Sequence, residues 1–193
     1  APSFDIDIQI SSGYTNAPVI NESKLNPAKC NNLTLGAGTI LTILPDKALT
    51  VFGDLENAGI VTIQSNASGD GSLIVEGDIV ESTGDYYVQR YVSGSTWHLM
   101  SSPLSEAVSG LFVGSGSYLR FYNEPTNSWG AYVNNSSLPL EKGQGFSFWS
   151  NNPVTKTYIG QIHNTPVNRM LTRTAGGENL TRGWNLIGNP YTS

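Results

Sequence analysis

Two histidines, His98 and His163, and one cysteine, Cys30, are the side chains that could act in nucleophilic or acid–base catalysis. A serine or cysteine hydrolase needs its nucleophile beside a histidine that a carboxylate orients. A Gly-x-Ser-x-Gly motif is absent from the sequence, and no aspartate follows Asp85. His98 also lies in a motif whose second copy has Asn185 at the equivalent position, which favours a polar structural role. The sequence therefore predicts no catalytic triad.

Two glutamates, Glu124 and Glu141, could form the carboxylate pair of a glycoside hydrolase. Both lie among turn-forming residues, and nothing in the sequence defines the distance between them. Solvated loop acids are the alternative, which the sequence favours. A solenoid polysaccharide lyase or hydrolase would need Asp, Lys and Arg clustered on one row of strands, and no such row is present. We predict that the protein is not an enzyme and has no cofactor.

The glycine-rich turn at residues 66–72 contains Asp70 and could offer oxygen ligands to calcium. It supplies one carboxylate where a tight site needs several, so Asp70 is a weak calcium candidate and a plain loop is the alternative. The single cysteine, Cys30, excludes an internal disulfide framework and a multi-cysteine metal site. We expect Cys30 to be a small buried residue beside a strand. We predict no metal site.

Aromatic side chains beside asparagines favour carbohydrate binding, because a sugar ring stacks on Trp or Tyr while amides bind its hydroxyl groups. Packing in the core is the alternative for each ring. In the segment 146–149, alternation buries Phe146 and Phe148 together and turns Trp149 to the opposite face. The candidate carbohydrate-binding residues are Trp149, Trp129, Tyr132, Asn151 and Asn134.

The elements that carry these residues are predicted to be strands. Glycine is abundant, at 21 residues, and charged residues make up 13% of the chain. This composition is typical of short strands joined by tight turns. We predict an all-β fold with two domains. Residues 1–85 form a short N-terminal β-solenoid, right-handed, β-helix-like and of about three coils. Residues 86–193 form an aromatic-rich antiparallel β-sandwich.

The solenoid prediction depends on short apolar triplets that recur along the first half of the chain. Residues 33–35, 49–51 and 73–75 form one predicted row of stacked strands, and residues 41–43 and 61–63 form a second. An irregular period near twenty residues favours coils that bury apolar surface by stacking on one another. We expect the segment that follows the solenoid to cover its open end.

Two similar motifs in the second half begin with Trp97 and Trp184, which are 87 positions apart, and contain Pro103 and Pro190. This spacing suits the first and last strands of one small sandwich. We predict that both tryptophans are core residues and that the prolines end their strands. A further strand is predicted near residues 167–172.

The net charge changes sign at residue 85, the predicted boundary between the two domains. Residues 1–85 have eleven acidic and three basic side chains, a net charge of −8, whereas residues 86–193 have four acidic and seven basic side chains, a net charge of +3. The total of −5 disfavours nucleic-acid binding. No apolar run is long enough for direct membrane insertion. One interpretation is that two modules with different compositional histories have been joined. The other is that the acidic module docks on the basic module of the same chain or of a neighbour.

Motifs in the segments 5–20, 30–35, 97–103, 142–146 and 183–191 occur here in a characteristic order. Together with the solenoid triplets, this order resembles the repeat region of large Bacteroidetes-type cell-surface and secreted proteins, which are exported by the type IX secretion system and often described as adhesin-like. The resemblance implies an extracellular location and more sequence on both sides, which leaves open whether the C-terminal domain is complete. It implies no catalytic residues.

Two functions are therefore predicted. The first is a non-enzymatic extracellular module that acts as a structural stalk or adhesion unit of a longer surface or secreted protein. The alternative is a carbohydrate-binding module of a polysaccharide-degrading system. The expected partners are neighbouring modules of the same polypeptide, with glycans or other cell-surface proteins as further candidates.

Overall fold

The computed structural model describes residues 5–80, 83–175 and 183–192. This part of the chain is all-β, with one short 3-10 helix at Ser109–Leu111. No helix within it is long and apolar enough to cross a membrane. The strands are β1 (Ile8–Ile10), β2 (Val19–Ile20), β3 (Ala28–Cys30), β4 (Leu33–Leu35), β5 (Ile40–Ile43), β6 (Ala48–Val51), β7 (Leu55–Asn57), β8 (Ile60–Ile63), β9 (Ser65–Asn66), β10 (Gly69–Asp70), β11 (Ser72–Val75), β12 (Asp85–Val92), β13 (Trp97–Ser101), β14 (Ser117–Arg120), β15 (Tyr122–Asn123), β16 (Ser128–Trp129), β17 (Gly145–Ser150) and β18 (Val154–Gly160).

The first half of the chain winds into a β-solenoid of three coils with three parallel faces. One face is β1-β4-β7, the second begins with β2-β5-β8, and the third is β3-β6-β11. The paired positions Ile8, Leu33, Leu55 and Ile79 are 25, 22 and 24 residues apart. Each coil is too small to bury its own apolar side chains, so the coils form a core by stacking. The predicted short solenoid is confirmed.

The predicted strand rows are partly correct. Residues 41–43 stack on residues 61–63, as expected. Residues 49–51 also stack on residues 73–75. Placing Leu33–Leu35 in that row was wrong, because this strand pairs with Leu55–Asn57 on another face of the solenoid.

A column of Asp and Asn side chains runs along one corner of the solenoid, and we call it the Asx ladder: Asp7, Asn32, Asp54 and Asp78. In each step a side-chain oxygen accepts a hydrogen bond from the backbone N–H one coil later. The distances are 3.1 Å from Asn32 N to Asp7 Oδ1, 2.8 Å from Asp54 N to Asn32 Oδ1, and 2.9 Å from Asp78 N to Asp54 Oδ1. The Asn32 backbone N–H and the Asn31 amide lower the pKa of Asp7.

Glycines lie beside the ladder because the backbones of adjacent coils approach closely there. A Cβ atom added to Gly77 would lie 2.3 Å from the carbonyl oxygen of Gly53 and 2.4 Å from its carbonyl carbon. Inside the coils, Cys30 is fully buried, and burial followed by the nearby Asp7 carboxylate raises the pKa of its thiol to about 11. Cys30 is therefore the buried small residue that the sequence predicts.

Strand β12 joins the solenoid to the rest of the chain. It pairs in parallel with β8 through residues 85–88 and antiparallel with β18 through residues 86–92. The second solenoid face thus becomes a five-stranded mixed sheet, β18-β12-β8-β5-β2. One cluster of buried side chains extends from the coils through Tyr86 and Val88 to Tyr158. The sheet and the core both continue across residue 85.

A second, antiparallel sheet, β13-β17-β14, lies in the C-terminal half, and we call it the aromatic sheet. Its inner face contributes Phe146 and Phe148, which are fully buried. The ring of Phe112 lies 5.0 Å from Phe146, 4.8 Å from Phe148 and 5.9 Å from Tyr158 of β18, measured between ring centroids. Phe112 therefore packs the aromatic sheet against the five-stranded sheet.

The C-terminal segment covers the third coil of the solenoid. The Thr192 hydroxyl donates a hydrogen bond of 2.8 Å to the Leu73 carbonyl oxygen on β11, and Asn164 Nδ2 donates to the Gly77 carbonyl oxygen. This arrangement blocks one sheet edge, as expected for a solenoid end. The strand predicted near residues 167–172 is wrong, because that stretch has no regular strand.

Candidate functional site

The outer face of the aromatic sheet carries a row of rings that the strand register creates. Trp97 of β13 pairs with Trp149 of β17, and Tyr118 of β14 pairs with Trp149 from the other side. Because side chains alternate along a strand, the three rings share the face opposite Phe146 and Phe148. Trp149 is half-exposed, as its predicted orientation requires.

Tyr132 completes this surface, and we call Trp97, Tyr118, Tyr132 and Trp149 the aromatic platform. The Tyr132 ring is stacked on Trp97 with an interplanar angle of 14° and a centroid distance of 6.3 Å. It also lies 5.2 Å from Tyr118, while Trp97 lies 5.6 Å from Trp149. Tyr132 remains 50% exposed. These mutual contacts hold the rings in place while leaving aromatic surface accessible.

The other predicted carbohydrate-binding residues surround the platform. Asn151 is exposed, and its Oδ1 accepts a hydrogen bond of 3.3 Å from Trp149 Nε1. Asn134 is exposed close to Tyr132 in sequence. Trp129 lies on β16, away from the row of rings, and its ring meets Tyr122 edge-on at 5.6 Å. The sequence analysis missed Tyr118 and Trp97 as platform residues, although alternation along β13 and β14 is the signal that would place them.

The prediction that Trp97 and Trp184 are core residues is wrong. Trp97 is 36% exposed and Trp184 is 64% exposed. In β13 the inner positions belong to His98 and Met100, so alternation turns Trp97 outwards. In the described residues Trp184 belongs to no strand, and its segment forms one isolated bridge, from Ile187 to Gln144.

The two prolines of these motifs differ in the same way. Pro103 is buried and comes two residues after the end of β13, as predicted. Pro190 is half-buried and follows a stretch that has no regular strand. The similarity between the two motifs therefore does not extend to strand formation.

A largely apolar groove of about 430 Å³ lies on the same side of the aromatic sheet as the platform. Leu99, which is 66% exposed, lines it from β13, two residues after Trp97. Trp184 contributes a second exposed ring. Among the described residues, the lining consists of Leu99, Tyr122, Asn127, Trp129, Trp184, Asn185 and Leu186.

Arg120 lies between the platform and the groove. Its guanidinium carbon is 4.1 Å from the centroid of the Trp97 ring and 4.9 Å from that of Trp129. Arg120 lies opposite Ser147 in the sheet register, as does Leu99 from the other side, so all three belong to the outer face. The cation–π contacts hold the charged group beside both tryptophans.

Glu124, predicted as a solvated loop acid, is instead buried at 5% exposure. Its carboxylate accepts hydrogen bonds from Thr174 N at 2.8 Å, Thr174 Oγ1 at 3.0 Å, Gly183 N at 3.0 Å and Thr172 Oγ1 at 3.2 Å. These donors, led by the Thr174 N–H, lower the pKa of Glu124 despite its burial. Glu124 therefore connects Thr172 and Thr174 to Gly183, the residue before the groove residue Trp184. Glu141 is exposed.

The histidines have structural surroundings. His98 Nε2 lies 3.1 Å from Ser93 Oγ and 3.0 Å from the Ser93 carbonyl oxygen. His163 packs against Tyr191 at 5.6 Å, and both of its ring nitrogens are enclosed without a hydrogen-bond partner in the described residues. Burial, followed by the charge of Lys142, lowers the pKa of His163.

The calcium candidate Asp70 already has protein partners. Its Oδ1 accepts a hydrogen bond from the Ser65 hydroxyl, and its Oδ2 lies 3.8 Å from Arg90 Nε. In the described ranges no group of three or more His, Cys, Asp and Glu side chains is arranged to hold a metal ion. Asp70 therefore connects the β9–β10 hairpin to β12.

The chain belongs to a family described as a domain of unknown function, DUF8693, whose model matches residues 1–193. No curated protein and no solved structure matches the chain. The resemblance to type IX-exported surface proteins stays a prediction.

Proposed function

We propose that this DUF8693 domain is a non-enzymatic extracellular module of a longer surface or secreted protein, and that its aromatic platform binds glycans. In this proposal the solenoid is the structural unit that displays the platform. The observation that carries the proposal is the alignment of Trp97, Trp149 and Tyr118 across three neighbouring strands, with Tyr132 beside them.

The chemistry of the platform suits a sugar ring. The axial C–H groups of a pyranose form an apolar face that packs on an indole or phenol ring, while amides bind the hydroxyl groups. Asn151 and Asn134 are exposed near the rings. Because the rings already contact one another, binding a sugar immobilises few side chains. Exposed apolar patches of this kind mark interaction sites.

The exposed rings would be the part of the module that binds the glycan, since His98 and Glu124 make structural contacts. His98 binds Ser93, and the Glu124 carboxylate binds Thr172, Thr174 and Gly183. We also propose two features of the architecture. The coils of the solenoid are right-handed. The aromatic sheet packs with the β12–β18 pair to form a β-sandwich.

A purely structural stalk is the second candidate function. Two features favour it. The Asx ladder connects the coils of the solenoid to one another. The five-stranded sheet continues from the solenoid into the C-terminal half. A stalk would contact neighbouring modules of the same polypeptide or other cell-surface proteins, and its platform would bind no sugar.

Affinity electrophoresis and calorimetry of the full chain with a panel of neutral and acidic polysaccharides separate the two functions. We expect Tyr132→Ala and Trp149→Ala to weaken glycan binding about tenfold or more, as for the loss of one stacking ring. Tyr87→Ala is the matched control, since this half-exposed tyrosine lies on the opposite face of β12 from the core. Its affinity should equal that of the wild type.

Thermal denaturation of each variant shows whether lost binding reflects lost folding. Absence of binding to every glycan by the wild-type chain would exclude the glycan-binding function and leave the stalk. Turnover of any polysaccharide would exclude both.

A further inference from the structure

Arg120 is a charged group with no acidic partner in an otherwise apolar surface. In the described residues the guanidinium makes no ion pair and no hydrogen bond to a carboxylate, and its Nε is enclosed without a partner. The terminal amino groups are not enclosed in this way. The terminal amino groups of Arg120 can therefore donate hydrogen bonds to an anionic ligand.

The residues around Arg120 favour a negatively charged group as its ligand. The described residues of the groove lining include no acidic side chain, and the platform contains none either. The nearby Glu124 carboxylate is occupied by Thr172, Thr174 and Gly183. Residues 86–193 also carry a net charge of +3. The net positive charge of this half of the chain therefore attracts an anion.

The position of Arg120 between aromatic rings indicates what the ligand carries next to its anionic group. The guanidinium lies 4.1 Å from the Trp97 ring centroid, so a group bound to its amino nitrogens adjoins the platform. On the other side lies Trp129, which lines the groove. An anion attached directly to a sugar ring would satisfy Arg120 while the ring packs on an aromatic surface. The planar fork of arginine matches a carboxylate bidentately.

We infer that the glycan bound by this module is acidic, with a uronic acid carboxylate paired to Arg120 and its sugar ring against the aromatic platform. This inference rests on the proposed glycan-binding function and adds the class of sugar.

The test uses the full chain with three polymers: polygalacturonate, its methyl-esterified form, and dextran sulfate. Calorimetry should show that Arg120→Met weakens polygalacturonate binding about tenfold or more, as for loss of a charged hydrogen-bonded pair. Arg120→Lys should bind with intermediate affinity, because it keeps the charge without the fork. The exposed Lys24 of the solenoid provides the control, and Lys24→Met should bind like the wild type. The methyl-esterified polymer should bind weakly and be insensitive to Arg120→Met.

Several results would overturn the inference. Equal affinity for the acid and its methyl ester, unchanged in Arg120→Met, would exclude Arg120 as the anion-binding group while leaving glycan binding by the platform intact. Stronger, Arg120-dependent binding of dextran sulfate would replace the carboxylate with a sulfate. Absence of binding to every polymer, neutral or acidic, would remove both this inference and the proposed function. If Arg120→Met lowers the thermal midpoint, its weaker binding could reflect lost folding. The affinity of Arg120→Lys for polygalacturonate then tests the inference, and an affinity equal to that of the wild type would contradict the pairing of the carboxylate with the arginine fork.

Discussion

Polar side chains hold the backbone in both halves of the molecule, but they are arranged differently. The Asx ladder repeats one hydrogen bond per coil, between residues 22 to 25 positions apart. At the other end of the molecule, the Glu124 carboxylate alone accepts four hydrogen bonds, from Thr172, Thr174 and Gly183. The contribution of the ladder is spread over several coils, whereas the segments around the groove depend on one residue.

The two halves are therefore vulnerable to different substitutions. Removing one rung of the ladder leaves the strand pairing above and below it unchanged. Removing the Glu124 carboxylate leaves two segments of irregular structure without their shared acceptor, and such segments open with low free energy. The solenoid should therefore be sensitive to the spacing of its coils, and the groove to a single carboxylate.

The largest effect is expected where coil spacing is changed. Gly77→Ala places a Cβ atom 2.3 Å from the Gly53 carbonyl oxygen, so two backbones must move apart. We expect a loss of about 3 kcal/mol in the free energy of unfolding, measured by urea denaturation. Gly114→Ala is the control, because no atom lies within 4 Å of its added Cβ. Similar losses in both variants would show that coil contact is not the cause.

A smaller effect is expected from Glu124→Gln, which retains the size of the side chain but replaces one acceptor oxygen with a donor. We expect a lower thermal midpoint and faster proteolysis near residues 172–184. The exposed Glu141 is the matched control, and Glu141→Gln should behave like the wild type. Equal protease resistance of both variants would contradict the role assigned to Glu124.

The pH dependence of stability tests the same carboxylate. Hydrogen bonds lower the folded-state pKa of Glu124 below its ordinary value of 4.5. Its contribution is therefore complete above pH 4.5 and is lost as pH falls through the lowered folded-state pKa. Urea midpoints of the wild type should fall in this acidic range, and the decline should be shallower in Glu124→Gln. Parallel curves would contradict this assignment.

Breaking one rung of the ladder should have a modest effect. Asn32→Ala removes the acceptor of the Asp54 N–H, and we expect a loss of about 1 kcal/mol in unfolding free energy. The exposed Asn134 supplies the control, Asn134→Ala, which should be neutral. A loss of unfolding free energy as large as that of Gly77→Ala would contradict the view that the contribution of the ladder is spread over several coils.

The smallest effect concerns His163, which lies against the segment that covers the third coil. Burial and Lys142 lower its pKa in the folded state, so the unfolded chain takes up a proton first as pH falls below 6.5. Stability should decline in that range, and His163→Gln should remove this part of the decline. An unchanged profile in the variant would exclude His163 as the source.

Pattern reading succeeded where a strand and its stacking partner share the same residues. Residues 41–43 and 61–63 both read apolar, Thr, Ile, and they stack. It failed for Leu33–Leu35, because the true partner, Leu55–Asn57, has Asn opposite Leu35 and Glu opposite Thr34. The ladder was also hidden, since Asp and Asn in turns are common without any coil-to-coil hydrogen bond.

The site was harder to predict because it depends on contacts between distant segments. Alternation correctly placed Trp149 outwards, but the two tryptophan motifs look alike and only Trp97 belongs to a strand. The turn around Glu124 has the composition of an exposed loop, and its burial comes from residues about 50 positions later. The sequence pattern does not identify Arg120 as a site residue, because an arginine at an exposed strand position is common.

The hydrogen bond from Thr192 to Leu73 joins residues 119 positions apart. The coils close over 22 to 25 residues and can form as soon as those residues are available, whereas the edge of β11 waits for the last part of the chain. During synthesis this edge stays open longest and is the surface through which unfinished chains would pair with one another. We therefore expect the edge of β11 to be the last edge of the solenoid that is covered as the chain folds.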